Sequence, residues 1–209
     1  MIILLGNQKG GAGKSTLCLL LANYLTQRRQ RHVIVVDMDY QQSLMSKAEK
    51  AKILSGDPPY EVLPASLSQF ASIKPVLEKS GDRVVLIDLP GLINDNGLIP
   101  VFNSTRLVLS PFSYDAFSVD STVLFAMVFR KINPKAQLLF IPNRIKNTVK
   151  YETRTEVDRV LSKFGHVCPG ISDRIDFQRI STVNTPEILY PVVNPILDLI
   201  YESYILKYE

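Results

Sequence analysis

The sequence predicts an α/β fold: a single domain across residues 1–209, built on a mainly parallel sheet flanked by helices on both faces. Three observations predict it. Short apolar runs alternate with longer helical patterns along the whole chain, and strands alternating with helices imply right-handed βαβ crossovers. The apolar runs are continuous, as in strands covered on both faces. No internal repeat and no Gly-, Pro- or Ser-rich linker divides the chain.

In order, residues 2–6 read as the first strand, apolar at consecutive positions. Residues 15–29 follow as a helix with good helix formers and an apolar face at Leu17, Leu20, Leu21, Tyr24 and Leu25. Residues 33–36 are a second buried strand and 42–54 a weaker helix, after which Gly56-Asp57-Pro58-Pro59 breaks the chain. A short strand at 60–63 and a helix at 66–79 come next. Strands at 84–87 and 107–109 precede a helix at 119–131, a strand at 137–141 and a helix at 153–164. Residues 171–185 have no clear period and read as a loop or switch segment. Residues 188–206 close the chain as a helix that starts firmly near Pro195, since proline is tolerated in a first turn.

The composition is 46% hydrophobic and 21% charged, enough apolar material for a core. No run approaches the roughly 20 apolar residues that span a bilayer. The apolar start is too short for a signal-peptide core and lacks a basic flank, so a cytoplasmic protein with no stable membrane insertion is expected. Cys18 and Cys168 show no metal-ligand spacing and are too few for a disulfide scaffold. Among its leucines, Cys18 reads as a small buried hydrophobe. The net charge is +4, yet residues 130–179 hold 11 Lys/Arg against 5 Asp/Glu. Such a concentration suits a polyanion partner, and equally a solvated basic surface.

The chemistry gathers where the first strand ends, at Gly6-Asn7-Gln8-Lys9-Gly10-Gly11-Ala12-Gly13-Lys14-Ser15-Thr16. Three glycines let backbone N–H groups curl toward phosphate oxygens. The helix that follows points the positive end of its dipole at the same anion. Lys14 is then placed on the β- and γ-phosphates and the Ser15 hydroxyl on Mg²⁺. This makes the fold that of a P-loop NTPase, with Gly10, Gly11, Ala12, Gly13, Lys14, Ser15 and Thr16 as nucleotide contacts. The usual pattern has a glycine five residues before Gly13, where this chain has Gln8.

Two other strands end in carboxylates. Asp37 and Asp39 are two apart, so both face one site at the strand's C-terminal edge; the same residues also suit capping of the next helix. In Leu86-Ile87-Asp88-Leu89-Pro90-Gly91, an apolar strand runs into an aspartate. That is a Walker B pattern, which sets Asp88 beside the phosphate loop to bind Mg²⁺ through water. Asn143 follows the strand at 137–141. Its amide both donates and accepts, as reading an adenine edge requires; an Asx turn is the alternative. No Asn-Lys-x-Asp guanine pattern occurs, which favours ATP over GTP.

The run Lys9-Gly10-Gly11-Ala12-Gly13-Lys14-Ser15 resembles the deviant Walker motif of the ParA/MinD family, and most of all its small ParA-type partition ATPases. Asp37, Asp39 and Gln41 resemble that family's Asp-x-Asp-Pro-Gln, with Tyr40 in place of the proline. Asp88, Pro90 and Gly91 fit its third strand ending, and the likeness runs through the final helix. The resemblance implies that Lys9 crosses a dimer interface to the partner's nucleotide, in the manner of an arginine finger. It implies that Asp39 orients the attacking water, so that Lys9, Lys14 and Asp39 are the catalytic set. Asp37 would hold the hydration shell of a magnesium bound by Ser15 and Asp88, Gly91 would let the following loop sense the γ-phosphate, and Asn143 would lie against adenine.

The family's activity is a Mg²⁺-dependent hydrolysis of ATP, slow without a partner. The implied protein homodimerises on ATP, binds DNA without sequence preference and answers to an adaptor of ParB type in plasmid or chromosome partition. No residue precedes Met1, so the helix-turn-helix arm of longer relatives is expected to be absent. Lys146, Lys150, Arg154, Arg159 and Lys163 are the candidates for DNA phosphates, which ask only for clustered Lys/Arg. MinD-like membrane positioning needs a lysine-rich amphipathic tail, and residues 201–209 carry one lysine against two glutamates. An iron–sulfur relative needs suitably placed cysteines after the Walker B strand, and Cys168 alone does not provide them. A small-molecule ligase, or an ATPase serving conjugation or another cargo, shares the nucleotide chemistry and differs in its partner.

Overall fold

The computed structural model describes residues 1–79, 81–91 and 95–208; Glu209 of the tail lies outside them. The apolar runs form β1 (Ile2–Leu5), β2 (Val33–Asp37), β3 (Glu61–Pro64), β4 (Val84–Asp88), β5 (Leu107–Phe112), β6 (Gln137–Pro142) and β7 (His166–Val167). They make one sheet in the order β3-β2-β4-β1-β5-β6-β7, and every pairing is parallel. β1 runs through the middle, with Ile3 opposite Leu86 on one side and Leu107 on the other.

The connections are α1 (Lys14–Asn23), α2 (Ser43–Ser55), α3 (Phe70–Glu78), α4 (Leu98–Ser104), α5 (Ala116–Ile132), α6 (Arg154–Leu161) and α7 (Tyr190–Ile200). Successive strand residues face opposite sides, and the core divides accordingly. Ile3 and Leu5 pack with α1, the start of α2 and α7. Ile2 and Leu4 pack with α3, α4, α5 and α6. Helices thus cover both faces, as the continuous apolar runs require. Among the described residues, no helix is long and apolar enough to cross a membrane.

Several expected boundaries move. The first helix is not one-faced: Leu17, Cys18, Leu19, Leu20, Leu21 and Ala22 are all buried, so it is apolar all round. Helix α5 starts ahead of residue 119, because the Asp115 side chain accepts from Ser118 N at 3.0 Å and caps it. Helix α7 starts at Tyr190 rather than near Pro195. Pro191 sits in its first turn and Pro195 is carried inside the helix. Helix α4 and the two-residue β7 are too short to leave a period in the sequence. The stretch 171–185 is irregular apart from a parallel bridge of Ser172 to Ile145 and a 3-10 turn at Ile175–Arg179.

Candidate functional site

The site is built on the C-terminal end of β1, which is paired on both sides and so holds the loop after it in place. Gly6 N donates to Leu109 O at 3.1 Å. The buried Asn7 then fixes the turn. Its Nδ2 donates to Pro111 O and to Thr122 Oγ1, each at 2.8 Å, and its Oδ1 accepts from Lys9 N at 3.0 Å. The phosphate loop is thereby tied to β5 and α5. Asn7 is missed by sequence pattern, since a lone asparagine after a strand carries no period and no motif position of its own.

Gly13 takes φ +104°, and a Cβ there would stand 2.3 Å from Asn143 Nδ2, so only glycine fits. Gly10 and Gly11 border open space, where a Cβ would meet nothing within 4 Å. Below that space lies Lys14, buried, its Nζ donating to Lys9 O at 3.5 Å. Burial pushes the Lys14 ammonium below its ordinary pKa, while Asp88 and Asp39 draw it back up.

Ser15 Oγ donates to Asp88 Oδ2 at 2.5 Å. Asp88 is wholly buried at the end of β4, and its Oδ1 has no hydrogen-bond partner among the described residues. Burial pushes this carboxyl up to about 7; the Ser15 hydroxyl and the Lys14 ammonium pull it down, and Asp37 and Asp39 push it further up. A buried, unpartnered carboxylate oxygen beside a hydroxyl is a hard oxygen donor set, which suits Mg²⁺. No group of three or more His, Cys, Asp and Glu able to hold a metal occurs among the described residues.

Asp37 and Asp39 are brought to the same edge but held differently. Asp37 is opposite Asp88 in the sheet register and is buried. Its Oδ2 accepts from Leu44 N at 2.9 Å and Met45 N at 3.0 Å, and its Oδ1 accepts from Asp39 N at 3.2 Å. It is the N-terminal cap of α2 from outside the helix. Burial raises its pKa, against the three amide donors. Each Asp37 oxygen already accepts from the backbone, so any part it takes at a cation uses its remaining lone pairs. Asp39 is half-buried and its Oδ1 accepts from Gln41 N at 2.9 Å.

Gly91 sits against the phosphate loop, where an added Cβ would lie 3.5 Å from Gln8 O and 3.7 Å from Gly10 N. Residues 92–94, the loop expected to sense a γ-phosphate, lie outside the described residues. Asn143 donates from Nδ2 to Ala12 O at 2.9 Å and accepts on Oδ1 from Arg144 N at 2.9 Å. It borders a cleft of about 490 Å³ with Gly13, Thr16, Lys47, Asp173 and Phe177. Lys47 is a further wall residue that the sequence does not mark, and its Nζ donates to Ile180 O at 3.4 Å.

Lys9 projects outward, with its Nζ 5.8 Å from the Phe117 ring centroid. Of the five basic candidates, Arg154 pairs with Asp158 at 3.7 Å and Arg159 with Glu156 at 3.6 Å. Lys146, Lys150 and Lys163 are exposed, with no ion pair among the described residues.

A family model described as the CobQ/CobB/MinD/ParA nucleotide binding domain matches residues 3–184. Among solved structures, a Borrelia burgdorferi B31 protein described as a plasmid partition protein and bound to AMPPNP is similar in fold. It has 22% identity and a TM-score of 0.75, over 97% of this chain and 98% of that one. Apo McdA of Cyanothece matches at 16% identity and TM-score 0.74, over 97% and 98% of the two chains. The cell division protein MinD of Aquifex aeolicus matches at 18% identity and TM-score 0.69, over 94% of each. No curated protein matches the sequence.

Proposed function

The chain belongs to the CobQ/CobB/MinD/ParA nucleotide-binding domain family, and from that premise we propose that it is an ATP-driven dimeric switch of the ParA type. The observation that carries this reading is the Ser15–Asp88 pair: a hydroxyl on a buried carboxylate with one unpartnered oxygen, at the mouth of a glycine loop over a buried lysine. That donor set fits a hydrated divalent cation on a nucleotide's phosphates.

The backbone N–H groups of Gly10 to Gly13 and the Lys14 ammonium hold the phosphates and offset the charge that builds up in transfer. Asp39, steadied by the Gln41 N–H, orients the water that attacks the γ-phosphate. Lys9 enters the partner's site. Magnesium held by Ser15 and Asp88, with Asp37 at its hydration shell, would supply further positive charge to the same oxygens. One amide N–H of Asn143 binds Ala12 O, and the second is left for adenine in the adjoining cleft.

The cargo in this reading is a plasmid or chromosome. The ATP-closed dimer binds DNA without sequence preference through Lys146, Lys150 and Lys163, joined by Arg154 and Arg159, and a ParB-type adaptor stimulates turnover in the cytoplasm. A second reading keeps the ATP cycle and gives it another cargo, in conjugation or through a MinD-like membrane partner. It is favoured by the ion pairs of Arg154 and Arg159, which offset two of the five candidate cations.

The test is DNA binding by the purified protein with ATP, with ADP and without nucleotide, across a salt series. A salt-sensitive complex formed only with ATP supports partition. A protein that dimerises with ATP and binds no DNA under any condition moves the cargo to a protein or membrane partner.

A further inference from the structure

Lys9 has its backbone and its side chain turned in opposite directions. Its carbonyl points into the site and accepts from Lys14 Nζ at 3.5 Å. Its ammonium leaves the site and lies over the face of Phe117, 5.8 Å from the ring centroid. Phe117 stands in the first turn of α5 and is 77% exposed. A large aromatic so open to water gains little from burial, so packing does not account for its place in front of Lys9. Asp115 stands one turn-start before it. Its Oδ1 caps α5 through Ser118 N, and Ser113 Oγ donates to its Oδ2 at 2.5 Å. The Ser113 hydroxyl foremost, then the Ser118 amide and the nearby Lys9 charge, hold the Asp115 carboxyl below its ordinary pKa. Asn7 clamps the same loop to the same helix through Thr122. Lys9 is therefore tied to α5 through Asn7, which accepts from Lys9 N and donates to Thr122 Oγ1.

We propose that Phe117 and Asp115 form a holding site for the Lys9 ammonium, which keeps that cation out of its own chain's phosphate site and presents it outward to a second copy. Phe117 is thus a positioning residue that acts through Lys9, by the attraction of a ring face for a cation, with the negative charge of Asp115 two residues before it in the chain. The proposal rests on the reading of Lys9 as a lysine that acts in trans. A Lys9 side chain released to water would have four rotatable bonds to order at each encounter, and one laid on a ring has fewer.

The experiment combines a direct view of the contact with a double-mutant cycle. The first readout is the ring-current shift of the Lys9 side-chain methylene protons, measured by NMR against Phe117→Leu and Phe117→Tyr. The second is the protein concentration at half-dimerisation with MgATP for wild type, Lys9→Ala, Phe117→Leu, Phe117→Tyr, Asp115→Asn and Lys9→Ala/Phe117→Leu. Asparagine keeps the helix cap and removes the charge. An upfield shift lost in Phe117→Leu and kept in Phe117→Tyr is expected. Phe117→Leu and Asp115→Asn should each raise the midpoint by about two- to five-fold, with Phe117→Tyr near wild type and Phe117→Leu adding nothing to Lys9→Ala. Lys9 methylene shifts unchanged in Phe117→Leu would overturn the contact. An equal further loss in the double variant would overturn the holding role, since Phe117 would then touch the partner directly. If Lys9→Ala dimerises with MgATP like wild type, the trans-acting reading of Lys9 fails by itself, whatever the NMR shows.

Discussion

Ser15 Oγ reaches across from α1 to Asp88 Oδ2 at 2.5 Å, and the other oxygen of that carboxylate is left buried without a partner among the described residues. A buried, unpartnered acceptor costs free energy on the order of 1–3 kcal/mol, more for a charged group. Burial pushes the Asp88 carboxyl up to about 7, and below that pH a proton lowers the cost.

The first prediction follows from that proton. The Asp88 carboxyl is pushed up to about 7 in the fold, against about 3.9 in an unfolded chain. The folded state then binds the proton more tightly. Its stabilising contribution is full below the unfolded value and is lost as pH rises toward 7. Thermal unfolding of the free protein should show this loss between about pH 4 and pH 7, and Asp88→Asn should flatten it. With Asp88 in the proposed cation site, Mg²⁺-nucleotide binding draws on the carboxylate, so its affinity should rise over the same window. An affinity independent of pH there would remove Asp88 from the cation.

Lys14→Ala should abolish nucleotide binding while leaving a folded domain. Titration with a fluorescent ATP analogue measures the first, and thermal unfolding the second. Tight binding retained in the variant would sink the phosphate-loop assignment.

Asp37 and Asp39 should separate by stability. Asp37→Ala leaves Leu44 N and Met45 N without their acceptor, a loss on the order of 1–2 kcal/mol by helix-cap precedent. The melting temperature without nucleotide should fall. Asp39→Ala should melt near wild type, bind ATP and accumulate as a dimer, seen by size-exclusion chromatography with MgATP. Wild-type hydrolysis by Asp39→Ala would take the water-orienting role away from it.

Asn7→Ala removes two donated bonds and one accepted bond from the buried turn before the glycines. A loss of about 2–3 kcal/mol is expected, because Pro111 O and Thr122 Oγ1 each lose a donor and Lys9 N loses its acceptor, measured by chemical denaturation. Nucleotide affinity should weaken along with it.

Lys150→Ala and Lys163→Ala should each lower the salt slope of ATP-dependent DNA binding by about 0.9. Arg159→Ala should lower it less, because its guanidinium lies 3.6 Å from Glu156. Equal slopes across all three variants and wild type would place the DNA contact elsewhere.

How much of this was legible in the sequence varied with the range of the interaction. Ile2 to Leu5 is a strand because four consecutive apolar residues allow little else between two helix-covered faces, and Lys14 and Ser15 take their places from the loop they follow. Local signals of that kind survive in the chain order. Asp115 was not legible as a cap, because the apolar period alone starts the helix at residue 119 and the cap is a bond to Ser118 N. Asn7 and Phe117 were not legible. The meaning of Asn7 depends on Thr122, and that of Phe117 on Lys9, and neither pairing leaves a spacing in the sequence. The roles of Asp37 were both readable, as cap and as site carboxylate, and only the backbone positions of Leu44 and Met45 assign it the first.

The central position of β1 also sets an order in time. On a growing chain, β1 is made long before either of the strands that flank it, which begin at Val84 and Leu107. Its apolar residues must wait, exposed or chaperoned, until β5 emerges, and such late non-local pairing is slow and open to aggregation. The bond from Asn143 to Ala12 arrives later still. A nascent chain stalled before β6 would carry every residue of the glycine loop and have no finished site for ATP to stabilise.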